Sequence, residues 1–184
     1  MQEQIIIAGA GGQGIVLLGR VIAEAALKKG LNVTGLPAYG AAVRGGTSYY
    51  MVTLSSTEVA SPYIRKADTL IIMNEPSLIK FRKKINNKGL LLINTSLVEQ
   101  KELLADNKSV TTCALPFTDS AIKLGNIKVA NMIAFGAYIG KKKIFTKQMV
   151  FKVIEEIAPP GKKDLIWINQ KAIEEGMRLA DDAG

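Results

Sequence analysis

A short apolar run followed at once by a glycine-rich turn is the feature that most restricts the fold of this chain. Residues 5–8, Ile-Ile-Ile-Ala, have the β-branched character of a strand covered on both faces. Gly9-Ala10-Gly11-Gly12-Gln13-Gly14 comes next, and residues 13–29 then carry apolar side chains at helical spacing. This strand–turn–helix unit predicts an α/β protein.

The same alternation continues along the chain and defines the predicted fold class. We expect a Rossmann-like, mostly parallel sheet flanked by helices, with a helical C-terminal part, in a single domain over residues 1–184. The predicted strands are 31–36, 68–74, 90–93 and 109–115, with 49–55 extended. The predicted helices are 76–86, 117–124, 129–140, 146–157 and 163–180. Ser96-x-x-Glu99 resembles a capping box, which marks a helix start.

Two residue counts exclude several kinds of chemistry. The 184 residues include no histidine and one cysteine, Cys113. Serine–histidine and cysteine–histidine catalysis, histidine metal sites, internal disulfides and cysteine-ligated clusters are therefore excluded within this chain. Cys113 is predicted to be a small buried strand residue, because no histidine is present to activate it. The chain is poorly equipped to catalyse a reaction alone, and no catalytic or metal-binding residue is predicted.

Hydropathy and cysteine content bear on the compartment. No apolar run has the length of about 20 residues that a membrane span needs. Met1-Gln2-Glu3-Gln4 places no basic region before the apolar run, so we expect no signal peptide. A single cysteine fits a reducing compartment, and the expected location is the cytoplasm.

The glycine turn is a candidate anion site. Gly9, Gly11 and Gly14 match G-x-G-x-x-G, in which glycines allow a tight turn and helix N–H groups attract a phosphate. A dinucleotide site also needs an acidic residue about 20 residues on, and none occurs between Glu24 and Glu58. NAD or FAD is therefore disfavoured, and both a phosphate and a tight turn without a ligand stay open.

Arg44 is the second candidate. It is the only charged residue between Lys29 and Glu58, and it lies in Tyr39-Gly40-Ala41-Ala42-Val43-Arg44-Gly45-Gly46. A guanidinium held between glycines can bind a phosphate or a carboxylate, although an ordinary loop arginine fits equally well. Because the segment follows the second strand, we expect Arg44 and Gly11–Gly14 to lie at the same edge of the sheet.

Several motifs taken together resemble the gamma subunit of 2-oxoacid:ferredoxin (acceptor) oxidoreductases, most closely the 2-oxoglutarate and branched-chain type. They are the glycine turn, the Tyr39–Gly46 segment, Ser61-Pro62 ahead of Asp68, Asn94-Thr95-Ser96-Leu97-Val98, and Gly125-Asn126 followed by Val129-Ala130-Asn131-Met132. The indolepyruvate enzyme's small subunit belongs to the same family. The resemblance extends over the whole chain.

The resemblance implies a subunit of an enzyme that converts a 2-oxoacid and coenzyme A into acyl-CoA, carbon dioxide and reduced ferredoxin. It implies alpha- and beta-type chains that bind thiamine diphosphate and magnesium, and a ferredoxin-like chain that holds iron–sulfur clusters. This chain would complete the complex near coenzyme A while holding no cofactor alone. The cofactor-binding candidates are Gly9, Gly11, Gly12, Gln13, Gly14, Arg44, Gly45 and Gly46. The isolated chain is expected to be inactive, to expose apolar surface and to self-associate.

Two other functions remain as alternatives. A free-standing Rossmann-type nucleotide- or phosphate-binding protein would also use the glycine turn. A nucleic-acid binder would use the net charge of +8, but the basic residues are dispersed and the aromatic content is 6%. Lys80, Arg82, Lys83, Lys84 and Lys88 form an acid-free stretch that is interpreted as a solvated helix end.

Overall fold

The computed structural model describes residues 1–38, 47–99, 109–159, 161 and 163–183. Three of the candidate residues, Arg44, Gly45 and Gly46, lie outside the described residues. The remaining five extend from Gly9, near the end of the first strand, to Gly14, the N-cap of the first helix, with Gly11, Gly12 and Gln13 in the turn between them.

Six strands form one mixed sheet in the order β2-β3-β1-β4-β5-β6. They are β1 (Gln2–Ala10), β2 (Asn32–Ala38), β3 (Thr47–Ser55), β4 (Ala67–Ile72), β5 (Ile85–Asn94) and β6 (Thr111–Leu115). Strands β1, β4, β5 and β6 pair in parallel, whereas β3 is antiparallel to both β1 and β2. The α/β fold predicted from the sequence is confirmed, with one antiparallel strand inserted between β2 and β1.

Helices cover both faces of this sheet. They are α1 (Ile15–Lys28), α2 (Glu75–Phe81), α3 (Phe117–Lys123), α4 (Ala130–Lys142), α5 (Lys147–Ile157) and α6 (Lys163–Asp182). Side chains alternate along β1, so that Ile5 and Ile7 join the core beneath α1 and α4, while Ile6 and Ala8 join the smaller core beneath α2. The predicted helical C-terminal part is present as α3 to α6.

Helix α4 is enclosed on all sides. Every residue from 130 to 139 is buried, because the helix lies between the sheet and α6. The two helices approach so closely at Gly136 and Gly176 that a Cβ on either residue would overlap a carbonyl oxygen of the other helix. Tight packing here fixes the first turn of α4, which lies beside the glycine turn.

The helix predicted over residues 76–86 is too long. Helix α2 ends at Phe81, a 3₁₀ turn occupies Arg82–Lys84, and β5 begins at Ile85. Ile85 pairs with Ala67 of β4. This strand pairing overrides the helical spacing, which had predicted that the helix continues to residue 86. The helix start at Pro76 is confirmed, with the Asn74 side chain accepting a hydrogen bond from the Ser77 N–H.

The capping box predicted for Ser96 and Glu99 is also wrong, because the Ser96 hydroxyl caps a different helix. Residues Thr95–Leu97 form a short 3₁₀ turn, and the Ser96 hydroxyl accepts a hydrogen bond from the backbone N–H of Asp119, 3.0 Å away. The side chain therefore caps the first turn of α3, which lies far from Ser96 in sequence. Within the described residues, no helix is long and apolar enough to cross a membrane.

A candidate functional site at the carboxyl edge of the sheet

The glycine turn joins the carboxyl end of β1 to α1 and depends on two left-handed residues. Gly12 has φ +87°, and Gly14, which precedes the helix as its N-cap, has φ +70°. Side chains rarely adopt this conformation, whereas glycine adopts it at little cost. Gly12 and Gly14 therefore allow the chain to turn tightly between β1 and α1.

Two other positions in the turn need glycine because of crowding inside the chain. A Cβ on Gly9 would lie 2.5 Å from Gln13 Oε1, 2.7 Å from Ile15 Cδ1 and 2.9 Å from Met73 Cβ. A Cβ on Gly14 would overlap the amide nitrogen of Asn131 on α4. The turn is therefore packed against both β4 and α4.

Gly11 is different from its neighbours. No heavy atom of the described residues lies within 4 Å of the position that a Cβ would occupy, and its φ lies outside the left-handed region. Neither backbone conformation nor packing within the described part of the chain requires a glycine here. A Cβ on Gly12 would also meet no heavy atom of the described residues within 4 Å, but the positive φ of Gly12 explains why glycine occupies this position.

Gln13 holds the turn in place. Its Oε1 accepts a hydrogen bond from the Ala10 N–H at 2.6 Å, and its Nε2 donates to the Met73 carbonyl at 3.3 Å. The side chain thereby links the end of β1 to the residue that follows β4. Gln13 is thus a positioning residue within this chain, and its contact with a cofactor stays a prediction.

Three residues outside the predicted set complete the same network. Asn94, at the end of β5, donates to the Met73 carbonyl at 3.1 Å and to Thr118 Oγ1 at 2.8 Å. Asn131 of α4 donates to the Gly14 carbonyl at 3.1 Å. Asn94 and Asn131 lie in the motifs that carried the family resemblance, but no local spacing indicates that they converge on the glycine turn.

A cavity of about 150 Å³ opens beside the turn. It lies where the carboxyl ends of β1, β4 and β5 meet the start of α3, the position at which α/β proteins bind ligands. Its wall is mostly apolar, with Lys128 as the cationic side chain. The lining residues are Gly12, Gln13, Met73, Leu97, Thr118, Ile127, Lys128 and Ala130.

Apolar side chains are exposed around the same edge. Leu97 and Ile127, which line the cavity, are 44% and 56% exposed, and Val16 and Leu17 in the first turn of α1 are 40% and 46% exposed. Clustered apolar exposure of this kind is typical of a surface that binds a ligand or another protein. Four exposed apolar side chains thus lie at the edge that carries the glycine turn.

The ends of the Arg44 segment flank this edge. Ala38, the last residue of β2, pairs with Tyr49, and Thr47, the first residue of β3, pairs with Ala10 directly before Gly11. The last residue of β2 and the first residue of β3 therefore lie at the edge that carries the glycine turn. The position of Arg44 itself stays a prediction.

The strand order argues against a dinucleotide site. In a Rossmann fold the acidic residue that binds ribose ends the strand next to β1. Here β3 separates β2 from β1, and β2 ends in Leu36, Pro37 and Ala38. Neither the strand next to β1 nor the residues at the end of β2 provide the acidic side chain that an NAD or FAD site needs.

The described residues offer little acid–base or metal chemistry. They contain no group of three His, Cys, Asp or Glu that could hold a metal ion. Burial raises the pKa of the Cys113 thiol, and the nearby Lys141 opposes this only in part. Cys113 is therefore an inert thiol in β6 at neutral pH.

Comparison with known proteins decides the family. The profile of the pyruvate ferredoxin/flavodoxin oxidoreductase family matches residues 4–179. This chain belongs to that family. The family identified from the sequence is confirmed, and the free-standing nucleotide-binding alternative is not favoured.

Relatives of known name agree with this assignment. The 2-oxoglutarate synthase subunit KorC of Methanothermobacter marburgensis is 30% identical over 168 residues, which cover 89% of this chain and 90% of that protein. The ketoisovalerate oxidoreductase subunit VorA of Methanothermobacter thermautotrophicus is 29% identical over 97% of this chain. The chain spans only 36% of the length of VorA, so VorA contains much that this chain does not.

Solved structures show the same fold. The gamma subunit of a keto/oxoacid ferredoxin oxidoreductase from Geobacter sulfurreducens is 26% identical, with a TM-score of 0.83 and coverage of 98% of this chain and 99% of that one. A 2-oxoglutarate:ferredoxin oxidoreductase from Magnetococcus marinus, solved with 2-oxoglutarate, coenzyme A and succinyl-CoA, has a TM-score of 0.87 at 23% identity. All of this chain aligns with 32% of that one. The chain is a gamma-type member of the family.

Proposed function

We propose that this gamma-type chain assembles through the carboxyl edge of its sheet with thiamine-binding subunits of a 2-oxoacid:ferredoxin oxidoreductase. The complex converts a 2-oxoacid and coenzyme A into acyl-CoA and carbon dioxide and passes the electrons to ferredoxin. In this complex the chain contributes contact surface and ligand-binding groups. The isolated chain is inactive. The first substrates to test are 2-oxoglutarate and ketoisovalerate, because the relatives are named for them.

The observation that carries this proposal is the open glycine turn. Gly11 faces space that no described residue fills, beside a cavity and a rim of exposed apolar side chains. A turn that is ordered by Gln13 and Asn131 yet open on its outer side is suited to close contact with another molecule. Two features point to an anionic group there: the N-terminus of α1, a helix of 14 residues, and the Lys128 side chain.

The chemistry of these residues fits a phosphate of coenzyme A and not an iron–sulfur cluster. Lys128 offers a cationic donor, Arg44 would add a second, and the apolar wall suits the uncharged part of such a ligand. A cluster needs several thiolates, and Cys113 is a single buried thiol. Thiamine diphosphate, magnesium and the clusters therefore belong to the partner chains, where they supply the decarboxylation and electron-transfer chemistry.

The proposed partners are alpha- and beta-type thiamine-binding chains, a ferredoxin-like chain, and ferredoxin as acceptor. A free cysteine fits a reducing compartment, which supports the cytoplasm as the site of assembly. The exposed apolar rim also supports self-association of the isolated chain as a substitute for the missing partners.

Reconstitution from separately purified subunits tests this function. The complete complex should reduce ferredoxin with a 2-oxoacid and coenzyme A, and the complex without this chain should not. Arg44→Ala and Lys128→Ala should each weaken either assembly or the apparent affinity for coenzyme A. Arg20→Ala, which removes an exposed cation from α1, is the matched control. Turnover by this chain alone would refute the partner-subunit role.

A further inference from the structure

A second surface, at the opposite edge of the sheet, carries a dense cluster of cations. Residues 59–98 contain seven lysines and arginines and only two acids, Asp68 and Glu75. Most of the cations fall in two short segments: Arg65 and Lys66 lie directly before β4, and Arg82, Lys83 and Lys84 lie directly before β5. Lys80 is in α2 and Lys88 is within β5. The pairing of Ala67 with Ile85 brings these segments side by side. We call Arg65, Lys66, Lys80, Lys83 and Lys84 the basic face.

Contacts between the two segments show that they lie side by side in the folded chain. The Lys66 ammonium donates to the Lys83 carbonyl at 2.7 Å. The Lys84 ammonium lies 5.3 Å from the centroid of the Tyr63 ring and donates to its hydroxyl at 3.4 Å. The acid-free stretch that the sequence had suggested to be a solvated helix end is thus one half of a continuous surface.

Several of these cations are held in place by aromatic rings. Lys80 lies 5.4 Å from the Tyr49 ring centroid and 5.5 Å from that of Phe81, and the two rings pack at 5.1 Å. Lys84 is held beside the Tyr63 ring by its contact with the hydroxyl. A lysine restrained by a ring loses less conformational freedom when it pairs with an anion, so these ammonium groups are prepared for binding.

The acids of this region are engaged elsewhere. Asp68 accepts hydrogen bonds from the Gln4 N–H at 2.9 Å and from Asn86 Nδ2 at 2.8 Å. Glu75 accepts one from the Glu99 N–H at 2.9 Å. Within the part of the chain that the structure describes, no residue of the basic face forms an ion pair. Counting only the described residues, the basic face therefore keeps an excess of positive charge that no ion pair offsets.

We propose that the basic face docks an acidic surface of another subunit of the oxidoreductase. This inference rests on the proposed function, and it adds a second contact at the amino edge, opposite the glycine turn. Two large apolar side chains stand among the cations, Tyr63 at 52% exposed and Ile79 at 63%. Apolar anchors within a charged rim are the composition of a protein interface.

A nucleic acid is the less suitable occupant. Binding of unpaired bases uses open aromatic faces on which the bases stack. Here Tyr63 is a single exposed ring whose hydroxyl contacts Lys84, and Lys80 lies over the Tyr49 ring, so the described part of the basic face offers no series of open rings for successive bases. The rings of the basic face orient lysines, which suits carboxylates of a folded partner.

The test is the rate of association of this chain with the preassembled partner subunits at 50 and 300 mM NaCl. The variant Arg65→Gln/Lys66→Gln/Lys83→Gln removes three charges from the basic face. The control variant Arg20→Gln/Lys152→Gln/Lys171→Gln removes three exposed charges elsewhere. The face variant should associate at least about 10-fold more slowly at low salt and lose most of the salt dependence. The control should stay within about 2-fold of the wild type.

Each other outcome overturns a defined part of the account. Equal slowing of both variants would show an effect of net charge alone and remove the basic face as a docking surface. Unchanged rates for both would do the same while leaving the proposed function intact. Loss of binding to a 20-nucleotide oligo(dT) by the face variant, with unchanged subunit association, would assign the surface to nucleic acid. A wild-type chain that joins no partner subunits would overturn both proposals.

Discussion

Two pairs of glycines in this molecule differ in how closely other atoms approach them. Where α4 crosses α6, a Cβ on Gly136 would overlap the Ile173 carbonyl oxygen, and a Cβ on Gly176 would overlap that of Ile133. In the glycine turn, a Cβ on Gly11 or Gly12 would meet no described atom within 4 Å. The helix crossing is filled by backbone of the same chain, whereas no described residue fills the space on the outer side of the turn.

This difference separates glycines that the fold requires from one that it does not. The helix crossing needs glycine because two backbones touch, and Gly12 needs it because of its positive φ. Of these four glycines, Gly11 alone lacks a reason within the described residues. Its explanation must come from what contacts the carboxyl edge, which is the central claim of the proposed function.

The largest expected effect is at the helix crossing. Gly176→Ala forces α4 and α6 apart, because the new methyl group would overlap backbone atoms that have no free rotation. We expect a loss of about 3 kcal/mol or more in the free energy of unfolding, measured by urea denaturation.

Gly140→Ala in α4 is the matched control for that change. Its Cβ would lie 3.4 Å from Ala180 Cβ, an ordinary contact, and alanine favours helix by up to about 1 kcal/mol over glycine. The control should be neutral or stabilising. Equal destabilisation by both variants would mean that helix packing, and not the backbone approach at Gly176, sets the cost.

The next effect is at the inner side of the turn. Gly14→Ala introduces both a strained φ of +70° and an overlap with Asn131, and should cost about 2 kcal/mol. In an Asn131→Ala background the overlap disappears and only the backbone strain remains. A double-mutant cycle should therefore show coupling between the two positions. Strict additivity would contradict the packing of α4 against the turn.

A smaller effect is expected for Gln13→Met. The change keeps the length of the side chain but removes the hydrogen bonds to Ala10 and Met73, for a loss of about 1–2 kcal/mol. Gln148→Met, at an exposed position in α5, should stay within about 0.5 kcal/mol of the wild type. If the two changes have the same effect, Gln13 does not hold the turn and the order of this edge has another origin.

Local pattern was sufficient for most of the fold. The β-branched runs and helical spacing predict most of the strands and helices, because both signals arise from residues close in sequence. The errors occur where distant residues intervene: β5 begins early because Ile85 pairs with Ala67, and Ser96 caps a helix that starts at Phe117.

The candidate site was only partly predictable for the same reason. The glycine turn is visible as a motif, yet Asn94, Thr118 and Asn131 reach it from three separate segments. No spacing rule connects them, and only the sheet order brings them together. The basic face likewise joins two segments that are separated by a whole strand and helix.

Gly11→Val tests the central claim most directly, and it is the change with the smallest expected effect on the isolated chain. Because described neighbours leave open space and the φ at Gly11 is not left-handed, the free energy of unfolding should change by about 0.5 kcal/mol or less. In the reconstituted complex, the same variant should weaken assembly or the apparent affinity for coenzyme A at least about 10-fold, since the added side chain occupies the contact surface. An isolated chain destabilised as strongly as by Gly14→Ala, or a complex that assembles and binds coenzyme A as the wild type does, would contradict the account.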